Sequence, residues 1–222
     1  MSDETVFNPF DYEELMAPQS AQWAARRRAG QLMRRLNEAL VTTDADAATI
    51  NALTEQLESI EAVLAGQPRV AGRDTISAAG RGGRSVVAYE LGALCGQGNP
   101  VAPPLRLWID GDTAYGDVTM GWQYEGPPGA VHGGYVAALF DDFLGMAQKM
   151  TGQPGVTGTL SIRYKLPTPL GKPLRLIGKV KSVEGRKNTL VGEMWAGDKL
   201  TATAEGLFIH INMADYLDPR KQ

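Results

Sequence analysis

The feature that most constrains this chain is the apolar run over residues 135–150, which carries no turn punctuation and reads as one long helix. Val136, Leu139, Phe140, Phe143, Leu144 and Met146 cover nearly its whole circumference, so the helix must be buried. Yet its middle holds Asp141 and Asp142. An unpaired ionised carboxylate taken out of water is strongly disfavoured, so at least one of the two must face a cleft or an interface. Asp141 has Ala137, Ala138 and Gly145 at its helical neighbour positions, a channel of small residues past which a ligand or a second backbone could run. Asp142 lies about a quarter turn further round.

The segments around this helix read as strands. Residues 105–109 and 113–120 flank Asp110-Gly111-Asp112 and predict a hairpin. Four more segments, near 155–166, 174–183, 188–196 and 200–211, are rich in Thr, Val, Ile and aromatics, with Pro, Gly, Asp or Asn between them. Two strands, one helix and four strands predict an α+β domain whose curved antiparallel sheet wraps the central helix.

The first part of the chain differs in kind. Over residues 19–40, Trp23, Leu32, Leu36 and Leu40 recur at helical spacing among Arg26, Arg27, Arg28, Arg34 and Arg35, which predicts a basic amphipathic helix. After a break at Thr42-Thr43-Asp44, Ile50, Leu53, Leu57, Ile60 and Leu64 form a second stripe beside Glu55, Glu58 and Glu61. Such a pair suggests an antiparallel helical hairpin that docks its apolar faces on itself, on the main domain or on a partner chain. Its arginines could also meet phospholipid or the phosphate of a ligand. Gly and Pro interrupt residues 67–103, which read as a connector with one short strand near 85–89. The expected division is a helical extension over 1–66, the connector over 67–103, the α+β domain over 104–213 and a tail over 214–222.

Composition excludes several classes. A net charge of −3 argues against a general nucleic-acid binder, whose affinity would rest on neutralised phosphates. One cysteine, Cys95, allows no intrachain disulfide and no multi-cysteine zinc site. No run approaches the roughly eighteen apolar residues of a membrane span, and the acidic opening MSDETVFNPFDYEELM is unlike a basic leader. The expected location is the cytoplasm.

The central helix opens on His132-Gly133-Gly134 after the turn Gly126-Pro127-Pro128-Gly129. A helix start presents unpaired N–H groups backed by the positive end of the dipole, and glycines let a substrate oxygen approach them closely. An anion-holding helix start and a carboxylate two turns along are the parts of an acyl-transfer site.

The stretch YEGPPGAVHGGYVAALFD over 124–141, followed by TGTLSIRYK over 157–165, PTPL over 167–170 and VEGRK over 183–187, resembles the signature of PaaI-like hotdog-fold thioesterases, in particular their long-chain acyl-CoA branch. The resemblance covers roughly residues 96–212. It implies a hotdog fold and hydrolysis of acyl-CoA to free acid and CoA with no metal or redox cofactor. It also implies a homodimer, with a dimer of dimers left open, in which Asp141 of one protomer faces the helix start of the other. Asp141 would serve as general base or nucleophile, and the amide of Gly133 or Gly134, next to His132, would hold the carbonyl oxygen.

A Thr or Ser on the following strand orients water or the carboxylate in such enzymes. Thr157 and Thr159 both fall in range, with Thr157 favoured by its spacing from Asp141; strict alternation would place both on one face. Many relatives carry Asn six residues before the His, where this chain has Gly126 with Glu125 beside it. Arg163 with Lys165, or Arg186 with Lys187, could meet the phosphates of CoA, or serve as solvated edge-strand charges. Two other readings stand beside hydrolysis. One is a non-catalytic acyl-CoA-binding or assembly module; the other is a hydratase, which would want a second proton carrier where the only other histidine is His210.

Overall fold

A computed structural model describes residues 17–70, 72, 84–103, 105–153 and 155–211. The tail expected over 214–222 lies outside them. In chain order the elements are α1 (Ala21–Thr42), α2 (Ala47–Ala65), α3 (Arg84–Leu91), β1 (Arg106–Asp110), β2 (Thr113–Thr119), α4 (Gly133–Ala147), β3 (Gly155–Tyr164), β4 (Pro173–Glu184), β5 (Lys187–Ala196) and β6 (Lys199–His210). A 3-10 turn precedes α4 at Trp122–Tyr124 and another follows it at Gln148–Thr151.

The six strands form one antiparallel sheet in the order β1-β2-β4-β5-β6-β3, so β1 and β3 are its edges. The sheet curves around α4, which touches β3, β4, β5 and β6; this is the hotdog arrangement. Alternation decides which side chains reach the helix. Leu176, Leu190, Met194 and Phe208 point inward and are fully buried with Phe140, Phe143 and Leu144 of the helix. Glycine makes room for them. Gly178 and Gly192 pair across β4 and β5, and a Cβ on either would come within about 3 Å of a phenylalanine ring of α4. The two large rings therefore lie close against bare backbone, which fixes how the helix sits on the sheet.

The short strand expected near 85–89 is a helix, α3. Val87 and Glu90 are both wholly buried, and a spacing of three puts them on one face of a helix but on opposite faces of a strand. Glu90 explains the choice. Its carboxylate accepts from Arg27 Nε at 3.0 Å and Nη2 at 2.8 Å, an ion pair that straps α1 to the body.

The two N-terminal helices are present, capped by Ser20 and Asp46. Further straps on α1 run from Arg34 to the carbonyls of Asn99 and Gln97, and from the Trp122 N–H to Glu38. Trp23 is buried and Gly30 lies against the backbone of Gly98. No residue of α2 is buried.

Candidate active site

The turn before α4 is built by local hydrogen bonds. Glu125 Oε1 accepts from the Gly129 N–H at 2.7 Å, the Gly126 N–H donates to the Ala130 carbonyl, and Gly129 takes the positive φ of 74° that closes the turn. Strand-like bridges tie Val131 to Glu125 and Ala130 to Pro169. His132 then caps α4. Its backbone N–H donates to the Tyr124 carbonyl, and its Nδ1 accepts from the Gly134 N–H at 3.0 Å.

That cap separates two glycines that the sequence left equivalent. The Gly134 amide is occupied by His132, while the Gly133 N–H has no acceptor among the described residues and points from the first position of the helix. Gly126 also acquires a reason. A Cβ there would meet His132 Cα at 2.6 Å and its Cβ at 3.0 Å, so no side chain fits while His132 holds its place as the cap.

Tyr164, not singled out from the sequence, completes the helix start. Its hydroxyl donates to the Gly133 carbonyl at 2.9 Å and its ring passes beside the Gly133 backbone. The signal was an aromatic at the end of a strand whose charged neighbours drew the attention. His132, Gly133, Tyr164, Lys165, Leu166 and Pro167 line an open groove at this end of α4.

In the middle of the helix, Asp141 is exposed and accepts from Thr157 Oγ1 at 2.9 Å. Asp142 is half-buried. The structure brings Thr157, not Thr159, to the carboxylate, and the expectation that both threonines share a face is corrected. Thr157 pairs with Phe208 and Thr159 with Leu207, so Gly158 is an extra residue in the strand. A bulge of this kind puts the residues on either side of it on opposite faces. Thr157 joins Phe208 on the helix side, and Thr159 faces away.

The candidate cations separate in space. Lys165 lies in the groove at the start of α4. Arg163 pairs with Thr203 on the outer face of the sheet, away from α4. Arg186 donates from Nε to the His210 carbonyl, and Lys187 pairs with Ile209, both beside the start of β3. Gln148 clamps that same end to the foot of α4 through both polar atoms of its amide, each bonded to the backbone of Gly155. Arg186 and Lys187 thus stand at the opposite end of the helix from Gly133. Among the described residues no three His, Cys, Asp or Glu come together in a way that could hold a metal ion, and no helix is long and apolar enough to cross a membrane.

One distance governs what the site can do. Asp141 lies eight residues beyond Gly133, about 12 Å along the helix axis at the standard rise. A single carbonyl group cannot touch both in one chain.

Comparison with known proteins agrees with this architecture. A family profile described as the thioesterase superfamily matches residues 128–203. A crystal structure of a thioesterase superfamily protein superposes with a TM-score of 0.74 at 38% identity, covering 87% of this chain and 93% of that one. An acyl-coenzyme A thioesterase THEM4 from Xenopus laevis is 40% identical over 28% of this chain, and one from Bos taurus is 35% identical over 44%. The chain spans 28% and 38% of the length of those two relatives. With a solved relative matched over nearly its whole length and a family profile covering the central helix and the strands behind it, this chain belongs to the thioesterase superfamily.

Proposed function

We propose that the chain hydrolyses acyl-CoA thioesters to free acid and CoA, in sites shared between two protomers. The observation that carries the reading is the pairing of a hydroxyl-supported carboxylate, Asp141 with Thr157, and an open helix-start amide, Gly133, on one helix but about 12 Å apart. Acyl-CoA as substrate agrees with the names of the curated relatives.

The edge strand β3 supplies a way to bring the two halves together. Thr157 sits at one end beside Asp141, and Tyr164 sits at the other beside Gly133. Suppose two copies of β3 pair antiparallel about Ser161. Then Leu160 opposes Ile162 of the second copy and Thr159 opposes Arg163, each pair sharing a face as an antiparallel ladder requires. With Gly158 as the bulged residue, Thr157 then opposes Tyr164, both on the helix side. Asp141 of one protomer would stand across from Gly133 of the other, twice per dimer.

In such a site the thioester oxygen accepts from the Gly133 N–H. Asp141 takes a proton from a water whose oxygen adds to the carbonyl carbon, and the negative charge passes to the oxygen held by Gly133. Collapse of the adduct breaks the C–S bond, and the departing CoA sulfur receives the proton from Asp141. Direct attack by the carboxylate, giving a mixed anhydride that water then opens, uses the same two groups. Thr157 orients the carboxylate, His132 fixes the first turn, and Lys165 is the cation best placed for the CoA end of the substrate. The one cysteine, Cys95, is buried, which fits a reducing compartment such as the cytoplasm.

The first test measures hydrolysis of acyl-CoAs of graded chain length. Asp141→Asn should lower kcat by about 10²–10⁴-fold with little change in melting midpoint, since the side chain is exposed. Equal rates in both proteins would remove Asp141 from the reaction, and tight acyl-CoA binding without turnover by the unaltered chain would make it a binding module. The second test addresses sharing. Gly133→Pro deletes the N–H and adds a ring whose Cβ would lie 3.5 Å from the Tyr164 ring, an ordinary contact; proline suits the first helical position, and His132, at φ −58° and ψ 132°, already has the backbone a residue before proline adopts. Mixing Asp141→Asn chains with Gly133→Pro chains should restore activity that neither has alone. A site within one chain would restore nothing.

A further inference from the structure

Both N-terminal helices turn their apolar side outward. On α1 the groups that hold the body, Trp23, Arg27, Gly30, Arg34 and Glu38, fall within one arc at about 100° per residue, and Leu32, Leu36 and Leu40 fall on the opposite one. Those three leucines are 48%, 41% and 57% exposed. A surface helix ordinarily does the reverse, burying its apolar stripe and showing its charges to water. On α2, Ile50, Leu53, Leu57, Ile60 and Leu64 alternate at spacings of three and four, the seam of a coiled coil, and none is buried. Joined only by residues 43–46, the two helices still leave both stripes uncovered. On α2, Leu53, Ile60 and Leu64 are 45%, 54% and 67% exposed, so each helix carries its own row of exposed large apolar side chains, the kind of surface that marks an interaction site.

The charges beside the two stripes say what would fit. Arg28 and Arg35 border the α1 stripe on one side and Arg26 on the other. Glu61 borders the α2 seam with Glu58 behind it, and α2 contains no Lys or Arg. The stripes are both apolar and are bordered by opposite charge. A lipid surface is a poor fit, since anionic headgroups would repel α2.

We propose that these faces form an interface between copies of this chain, in which the α1 stripe of one copy is covered by the α2 seam of another. Two-fold symmetry makes the contact reciprocal: each copy gives one basic and one acidic helix, and four stripes are buried at once. This surface is separate from β3 and stands whether or not the chain hydrolyses thioesters.

The experiment uses the full chain and one exposed position within each stripe. Leu32→Cys chains are mixed with Leu57→Cys chains and oxidised gently, and the products are separated by mass under non-reducing denaturing conditions. The expected result is a product of twice the chain mass that contains one chain of each kind and disappears on reduction. It should fall at least several-fold when Arg28→Glu and Arg35→Glu are added to the Leu32→Cys chain, and recover when Glu58→Lys and Glu61→Lys are added to its partner. A fast-running intrachain product from the Leu32→Cys/Leu57→Cys double variant, with none between chains, would mean that the hairpin closes on itself and would overturn the proposal. Absence of any cross-linked product, as expected were the occupant a foreign protein or a membrane, would overturn it equally.

Discussion

α1 and α4 both carry apolar and charged residues, and they use them in opposite ways. α4 spends its apolar residues on the sheet, so that the polar residue left over, Asp141, becomes the chemically available group. α1 spends its polar residues on the body, through Arg27, Arg34 and Glu38, and the residues left over are leucines. In each helix the face that the rest of the chain does not use points to the function. For α4 that is the carboxylate proposed to act on substrate, and for α1 it is the apolar stripe proposed to meet a second copy.

The largest expected effect tests the α4 half of this contrast. Phe140 is fully buried against Gly192, so Phe140→Ala opens a cavity that bare backbone cannot collapse to fill. It should cost about 3–5 kcal/mol in urea unfolding. Leu36→Ala on α1, measured at a concentration low enough for single chains, should cost well under about 1 kcal/mol, because half-exposed leucine makes few contacts to lose. Comparable losses at the two positions would break the comparison.

Next in size is the ion pair that inverts α1. Glu90 is fully buried and the Arg27 side chain is 17% exposed, and Glu90→Gln leaves a guanidinium facing a neutral amide in a partly dry place. A cost of about 3 kcal/mol is expected, at the lower end for a broken buried pair because Arg27 keeps some contact with water. The loss should be local, with faster amide hydrogen exchange along α1 while the amides of β4 and β5 stay protected. Uniform loss of protection would mean that α1 is an integral part of the core rather than a strapped-on arm.

These elements were not equally legible in the sequence. The six strands and α4 could be read because period-two alternation and an all-round apolar helix are strong local signals, and the hairpin at Gly111, with φ of 59°, was marked by its residues. α3 was missed because its Val86-Val87-Ala88 run suggests a strand, whereas its helical form is chosen by Arg27 some sixty residues away. The Thr157–Thr159 relation failed for a different reason: alternation assumes an unbroken ladder, and the bulge at Gly158 depends on pairing with β6. Asp141 stands out in the sequence as a charge in an apolar helix. The difference between Gly133 and Gly134 was hidden, because it rests on which way the His132 ring turns.

A smaller effect sharpens the account of the leftover carboxylate. Thr157→Val removes the single hydroxyl bond to Asp141 while keeping the strand's shape. Losing one exposed bond of this kind is worth about 1 kcal/mol, so kcat should fall roughly fivefold with stability hardly changed. Thr159→Val, on the far face, should leave the rate alone. A larger loss at Thr159 would place the bulge, and with it the proposed register of β3, in error.

The last effect concerns a partly buried cation just beyond the end of α4. Lys149 lies in the turn that ends the helix, and burial lowers its pKa from 10.5 to about 8, with the nearby Cys95 acting the other way. The folded-state pKa is thus below the unfolded one. Below about pH 8 both states carry the proton, and the cost of burying the charge is present in full. Between about 8 and 10.5 the unfolded chain holds a proton that the folded chain has released, so stability rises with pH across that window. Burial pushes the Tyr89 and Tyr124 phenols up, so above pH 10 they act in the opposite sense, and the Lys149 contribution is best read as a difference from a variant. Lys149→Met should be more stable than the unaltered chain at pH 7, and the gap should narrow as pH rises from 8 toward 10. A gap that stays constant would mean that the lysine reaches solvent in the folded chain.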